Sequence, residues 1–203
     1  MTHHVPKDVL NIVKSFYPEG LDYDRDFQAY INTDEYKRHD AQTSAFHREA
    51  VKWHSRVEAI NQDCNTHFQP IMPNHNDRCL SFQWKQSDDI ALLLEFSALG
   101  PYFGLLMVTR QYSGQTSTPS DITSLAELRA IVSQTDYTID YNLRRILDEG
   151  RETRLVRMIS DRYNIDRIPG ELMEVELSGL NFDKTGRPLT LYHALFQGKV
   201  TIL

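Results

Sequence analysis

Between Asp34 and Gln62 the inward-type positions Tyr36, His39, Thr43, Phe46, Ala50, Trp53, Val57 and Ile60 recur at steps alternating three and four. That spacing is the seam of one amphipathic helix facing a single partner surface. Thr33 stands where a capping residue belongs, and Asp34 and Glu35 carry the charge favoured at the positive end of a helix. No Gly or Pro interrupts the run. The pattern predicts a single rod about 43 Å long at about 1.5 Å per residue.

A shorter amphipathic helix precedes it. Pro6 suits a first turn, Val9, Leu10, Val13 and Phe16 share a side, and Pro18 and Gly20 close the run. After the rod, residues 64–79 hold two prolines and three asparagines and read as a loop. The pattern then changes period. Leu80, Phe82 and Trp84 alternate with polar residues, as in a half-buried strand. Ile90 to Phe96 is apolar at nearly every position, the mark of a strand covered on both faces. Tyr102 to Tyr112 is the return strand, and Gly104 inside it points to a bulge or a close backbone approach. These three segments predict an antiparallel meander.

The remainder is less regular. Residues 113–120 (SGQTSTPS) read as a polar linker, and Ser124 with Glu127 forms a capping box opening a helix to about Val132. Residues 138–163 read as helical with a break or bend at Gly150, and Leu172 to Leu177 and Pro188 to Leu203 are strand-like, with a turn at Asp183 to Gly186. The fold class that results is α+β: a long N-terminal helix packed on an antiparallel β-meander, with further helices and C-terminal strands. The chain reads as a single domain over 1–203, with a subdivision into 1–112 and 121–203 across the polar loop left open.

Composition narrows the function classes. The 203 residues are 40% hydrophobic and 25% charged, enough for a core without staples. The net charge of −6 speaks against a nucleic-acid partner and permits a basic protein partner. The N-terminus MTHHVPKDVLNIV lacks the apolar run of a signal peptide. Ile90 to Leu94, soon followed by Glu95, is too short to cross a bilayer. The expectation is a soluble cytoplasmic protein without a membrane partner.

Three constellations carry candidate chemistry. Cys64, His67, His75 and Cys79 offer four zinc-ligand types in one loop, and a structural zinc would offset the entropy of ordering it. A Cys64–Cys79 disulfide and plain unrelated loop residues are the other readings of the same four; without zinc, no cofactor is expected. His47, His54 and Glu58 form a stripe beside the helical seam that suits metal binding or acid–base chemistry, or is simply a polar face. Arg144, Arg145, Arg151, Arg154, Arg157, Arg162 and Arg167 suit anion binding, but the interleaved Asp148, Glu149, Glu152, Asp161 and Asp166 favour internal ion pairs. Asp22, Asp24 and Asp26 resemble the start of a calcium loop, yet Phe27 and Thr33 stand where that loop needs Gly and Glu. There is no G-x-S-x-G, phosphate-binding glycine loop, H-E-x-x-H or C-x-x-C. A nucleophile pair of Cys64 or Cys79 with His193 remains open.

An acidic α+β chain without a catalytic motif, carrying the meander CLSFQWK, DIALLLEFS and YFGLLMVTRQY beside an aromatic-bearing helix, resembles the immunity proteins that neutralise interbacterial toxins. The resemblance is one of architecture and charge. It implies a stoichiometric inhibitor whose acidic surface covers the active site of a basic toxin domain. The candidate contacts are Asp22, Asp24 and Asp26 with Asp88 and Asp89. Two other functions fit the sequence: a small hydrolase- or transferase-type enzyme built on the His/Glu stripe, with or without zinc, and a self-associating structural or regulatory protein that dimerises through the 34–62 helix.

Overall fold

The computed structural model describes residues 4–72, 77–112, 135–181 and 189–196. In chain order the helices are α1 (Lys7–Lys14), α2 (Phe27–Ile31), α3 (Asp34–Arg48), α4 (Ala50–Cys64), α5 (Glu149–Tyr163), α6 (Gly170–Met173) and α7 (Leu191–Leu195). The strands are β1 (Gln69–Pro70), β2 (Cys79–Lys85), β3 (Ile90–Ser97), β4 (Tyr102–Tyr112), β5 (Thr135–Asp140) and β6 (Asp166–Arg167). The fold is α+β. None of the described helices is long and apolar enough to cross a membrane.

The meander forms as its hydrophobic pattern requires. Strands β1 to β5 lie side by side in chain order, all antiparallel, while β6 pairs in parallel with the start of β4. Side chains alternate between two cores. Leu80, Phe82, Leu92, Leu94, Phe96, Phe103, Leu105 and Met107 meet Trp53, Val57 and Ile60 of α4 and Leu155 and Ile159 of α5. On the opposite face Cys79, Ala91, Leu93, Leu106 and Val108 meet Val9 and Val13 of α1, Tyr17, and Leu191 to Phe196. The sheet is therefore covered on both sides, which is why β3 tolerates an almost unbroken apolar run.

The rod over 34–62 is two helices. Thr33 caps α3 as expected, its side chain accepting from the Tyr36 amide. At Glu49 the backbone leaves helical geometry (φ −90°, ψ 8°), and its amide turns back to the Phe46 carbonyl. The inward residues are those of the seam, since His39, Thr43, Trp53, Val57 and Ile60 are all buried. The surface they face is not one surface. The α3 half meets Tyr17 and Arg78, the α4 half meets the other side of the sheet, and Phe46 at the break packs against both cores. A straight rod cannot stay seated on both.

Other expectations change in detail. Residues 138–140 are the end of β5, held by pairing of Met107, Val108 and Thr109 with Asp140, Ile139 and Thr138. A short 3-10 helix, Leu143–Arg145, comes next, and α-helix only from Glu149, so Gly150 lies in its first turn; Asp148 caps it through the Arg151 amide. Leu172 falls in α6, and the described part of the strand-like 188–203 segment, residues 189–196, gives one bridge, Glu176 to Thr190, followed by α7. The linker 113–120, the helix opening at Ser124 and the turn at Asp183 to Gly186 lie outside the described residues.

Candidate interaction surface and buried polar centre

The five acids divide into two groups. In the first loop, Asp22 Oδ1 accepts the amides of Asp24 (3.0 Å) and Arg25 (2.9 Å), and Asp22 Oδ2 accepts from Asn181 Nδ2 at 2.7 Å. Asp26 Oδ2 accepts the Asp22 amide at 3.0 Å and the Arg25 guanidinium at 3.1 Å. The Arg25 hydrogen bond and the Asp22 amide hold the Asp26 carboxyl below its usual range. Asp22 and Asp26 thus shape the loop, and Asp24 is left exposed at its tip. Beside it lies an open hollow of about 380 Å³ lined by Leu21, Asp22, Arg25, Glu176 and Asn181 among others. The second group, Asp88 and Asp89, is the exposed turn joining β2 to β3, with Asp88 3.3 Å from Lys85 Nζ.

These groups do not make one face. The first loop reaches the start of β2 through ring contacts Tyr23–Tyr36 and Tyr36–His39 and the 3.1 Å hydrogen bond from Arg78 to His39. Asp88 and Asp89 follow the other end of that strand, roughly 20 Å away for a strand of this length. The first loop has an aromatic neighbour instead. Tyr23 meets Phe27 edge-on at 5.3 Å, and Phe27 is one of the few large apolar side chains at the surface among the described residues, 41% exposed.

The histidine stripe is divided between the two helices. His47 sits on α3, while His54 and Glu58 sit beyond the break on α4. His54 packs edge-on against Phe82 at 5.6 Å, and Glu58 is exposed. Nor does the structure gather the proposed zinc ligands. Cys79 belongs to the core under α1 and α7, whereas Cys64 packs on the core under α4, on the other face of the sheet. Both cysteines are free thiols, which removes the disulfide. His67 is exposed and meets Trp84 edge-on at 6.0 Å, and His75 lies outside the described residues. Among the described residues no three His, Cys, Asp or Glu side chains are grouped to hold a metal. Because α3 and α4 bury the heptad seam against their own chain, that seam is not an open face for a second copy.

Three of the seven arginines serve as internal ties. Arg162 pairs with Asp63 (2.5 Å), Arg154 donates to the Asp63 carbonyl (2.9 Å), and Arg167 pairs with Glu152 (2.6 Å). The first two fasten α5 to the end of α4.

Two buried charged residues escaped sequence reasoning. Arg78, just before β2, is 1% exposed. Its Nε donates to His39 Nε2 at 3.1 Å, its Nη1 donates to the His193 carbonyl, and its guanidinium stands 5.5 Å from the centre of the Tyr17 ring. Burial, with the Arg78 charge, pushes His39 down to about 3, so it is the neutral acceptor this contact needs. Glu95 is also 1% exposed, in the middle of the sheet. Its Oε1 accepts from Ser81 Oγ at 3.0 Å and lies 3.8 Å from Cys79 Sγ. Burial drives its carboxyl up to about 7 against the smaller opposing effects of Ser81, Tyr192 and Cys79. The available signal was a glutamate inside an apolar strand together with a glycine, Gly104, in the next.

No family model, curated protein or solved structure matches the chain.

Proposed function

We propose that this protein acts by stoichiometric contact, in the manner of an immunity protein, and holds a basic protein partner against the corner formed by Tyr23, Asp24 and Phe27. The observation that carries the reading is exposed Phe27 packed on Tyr23 beside Asp24, on a loop whose shape is set by its own hydrogen bonds. A pre-shaped loop loses little freedom on binding. An aromatic anchor within a charged rim is the composition that concentrates binding energy. The acidic balance of the chain would speed encounter with a basic partner.

Capture from lysate of the source cells with the purified protein as bait, followed by calorimetry with the captured partner, tests this. A saturable one-to-one complex is expected. Phe27→Ala should weaken it about tenfold or more, and Asp24→Lys should slow association. Wild-type affinity in both variants, or no saturable partner, would overturn the assignment.

A further inference from the structure

Four consecutive carbonyls at the end of α7 are each claimed by a side chain from elsewhere. Arg78 donates to His193, Tyr17 to Ala194 at 2.8 Å, Ser97 to Leu195 at 2.9 Å, and Cys79 to Phe196. These are the carbonyls that a helix end leaves without partners of its own. A five-residue helix is too short to persist alone in water. Its place over the sheet therefore depends on these donors and on the burial of Leu191, Tyr192, Ala194, Leu195 and Phe196.

Beneath this segment lies Glu95. The Tyr192 hydroxyl stands beside its carboxyl and acts on it as a donor favouring the charged form, though neither that hydroxyl nor Glu95 Oε2 sits in good hydrogen-bond geometry among the described residues. We propose that residues 189–196 form a plug over the sheet, and that protonation of Glu95 keeps the plug seated.

The groups that face Glu95 do not stabilise its anion enough to offset burial. From β2 come Ser81, which donates to it, and Cys79, whose thiol is itself held un-ionised by burial. Asp77, before β2, and Tyr141, after β5, add a negative charge and a half-buried phenol. From α7 comes Tyr192. From β4 comes Gly104, with no side chain, and above it Met173 and Phe196. An ionised Glu95 would be a fully buried charge whose burial cost the donors Ser81, Tyr192 and Cys79 do not offset, a costly state. Lifting the plug hydrates that charge and bares the apolar residues Leu93, Leu106 and Val108. The carboxyl, at about 7 when covered, would return to its ordinary value near 4.5 when open. Opening then becomes about tenfold more favourable between pH 6 and pH 8.

Amide hydrogen exchange at those two pH values, corrected for intrinsic chemistry, tests the plug. The Leu191, Ala194 and Phe196 amides, bonded to Val175, Thr190 and Tyr192 carbonyls, are the probes, and β3 amides are the reference. The plug amides should exchange faster than those of β3 at both pH values. Their protection should fall about tenfold from pH 6 to 8 in the wild type, and by no more than about twofold in Glu95→Gln. Exchange in step with β3, an absent pH response, or an undiminished response in Glu95→Gln would each overturn the proposal. If that variant does not fold, the wild-type exchange still decides, joined by a carboxyl carbon NMR titration of Glu95. A Glu95 midpoint that does not coincide with the loss of plug protection defeats the proposal as surely.

Discussion

Glu95 and Gly104 stand directly opposite each other on β3 and β4. On the other side of Glu95 the paired residue is Ser81, so one row across the sheet reads hydroxyl, carboxyl, hydrogen atom. The missing side chain at Gly104 is the room that Met173 and Phe196 occupy over the carboxyl. A Cβ added there would lie 3.3 Å from Met173 Cε and 3.6 Å from Phe196 Cζ. The strand keeps its register through this point, so Gly104 marks a close approach and not a bulge.

That geometry predicts a graded response to added volume. In Gly104→Ala the flexible end of Met173 can shift, so a loss of about 1 kcal/mol is expected. Gly104→Val adds branches that meet the Phe196 ring as well, and should cost about 3 kcal/mol. Urea unfolding of the two variants gives both numbers. Equal stability of the valine variant and the wild type would show that the space over Glu95 is loose.

Arg78 is expected to be the costliest polar residue to truncate. Arg78→Ala leaves the His193 carbonyl without this donor and opens a cavity against Tyr17, for a loss on the order of 3–5 kcal/mol. Arg78→Lys retains the charge but cannot span His39 and His193 with a fixed fork, and should recover only part of it. A double-mutant cycle with His39→Gln, measured by chemical denaturation, should show coupling of about 1 kcal/mol or more. Additive losses would mean that the two side chains are neighbours without a working contact.

How much of this was legible follows from what each pattern records. The unbroken apolar run from Ile90 to Phe96 reports a strand covered on both faces, and that reading holds; the alternation at Leu80, Phe82 and Trp84 reports one covered face, whereas Cys79 and Gln83 on the opposite face of β2 are buried as well. The heptad seam reports which residues turn inward, and it named them; it carries no record that the inner surface changes at Phe46, so the break at Glu49 was hidden. Residues 138–140 and Leu191 to Leu195 are short stretches whose state is set by pairing with β4 and by the donors around α7, which local sequence does not contain. Arg78 and Glu95 were overlooked because charged residues belong to the surface unless something distant pairs with them. Glu95 becomes conspicuous only when register sets it against Gly104. The acids Asp22 to Asp26 were read as five equivalent contacts with Asp88 and Asp89, and hydrogen bonding separates the loop builders from the exposed tip.

That separation gives a further expectation. Asp22→Ala removes the acceptor for two loop amides and for Asn181, and should cost about 1 kcal/mol or somewhat more. Asp24→Ala, with the same change in charge, should stay within about 0.5 kcal/mol of the wild type. Thermal unfolding in low and high salt separates a loss of hydrogen bonding from a change in net charge. Equal losses in the two variants would return Asp22 to the class of plain surface acids.

The two buried centres should also pull stability in opposite directions with pH. The Glu95 carboxyl is raised from 4.5 to about 7 by burial, so between those values the unfolded chain has released a proton that the native state still holds. Native stability therefore falls as pH rises through that window, by up to about 1.4 kcal/mol per pH unit. His39 is lowered from 6.5 to about 3 by burial and by Arg78, so between those values the unfolded chain binds a proton that the native state refuses. Its contribution rises with pH at a similar rate. As far as these two groups go, stability should climb from about pH 3 to 4.5, hold nearly level to about 6.5, and drop slightly towards 7. The plateau is a cancellation, and single variants should unmask it. Glu95→Gln should leave a stability that rises with pH between 4.5 and 6.5, and His39→Gln, which keeps an acceptor for Arg78, should leave one that falls. Urea midpoints at pH 4.5, 5.5 and 6.5 read the two slopes directly, and a flat profile in both variants would mean that neither group titrates differently in the native and unfolded chains.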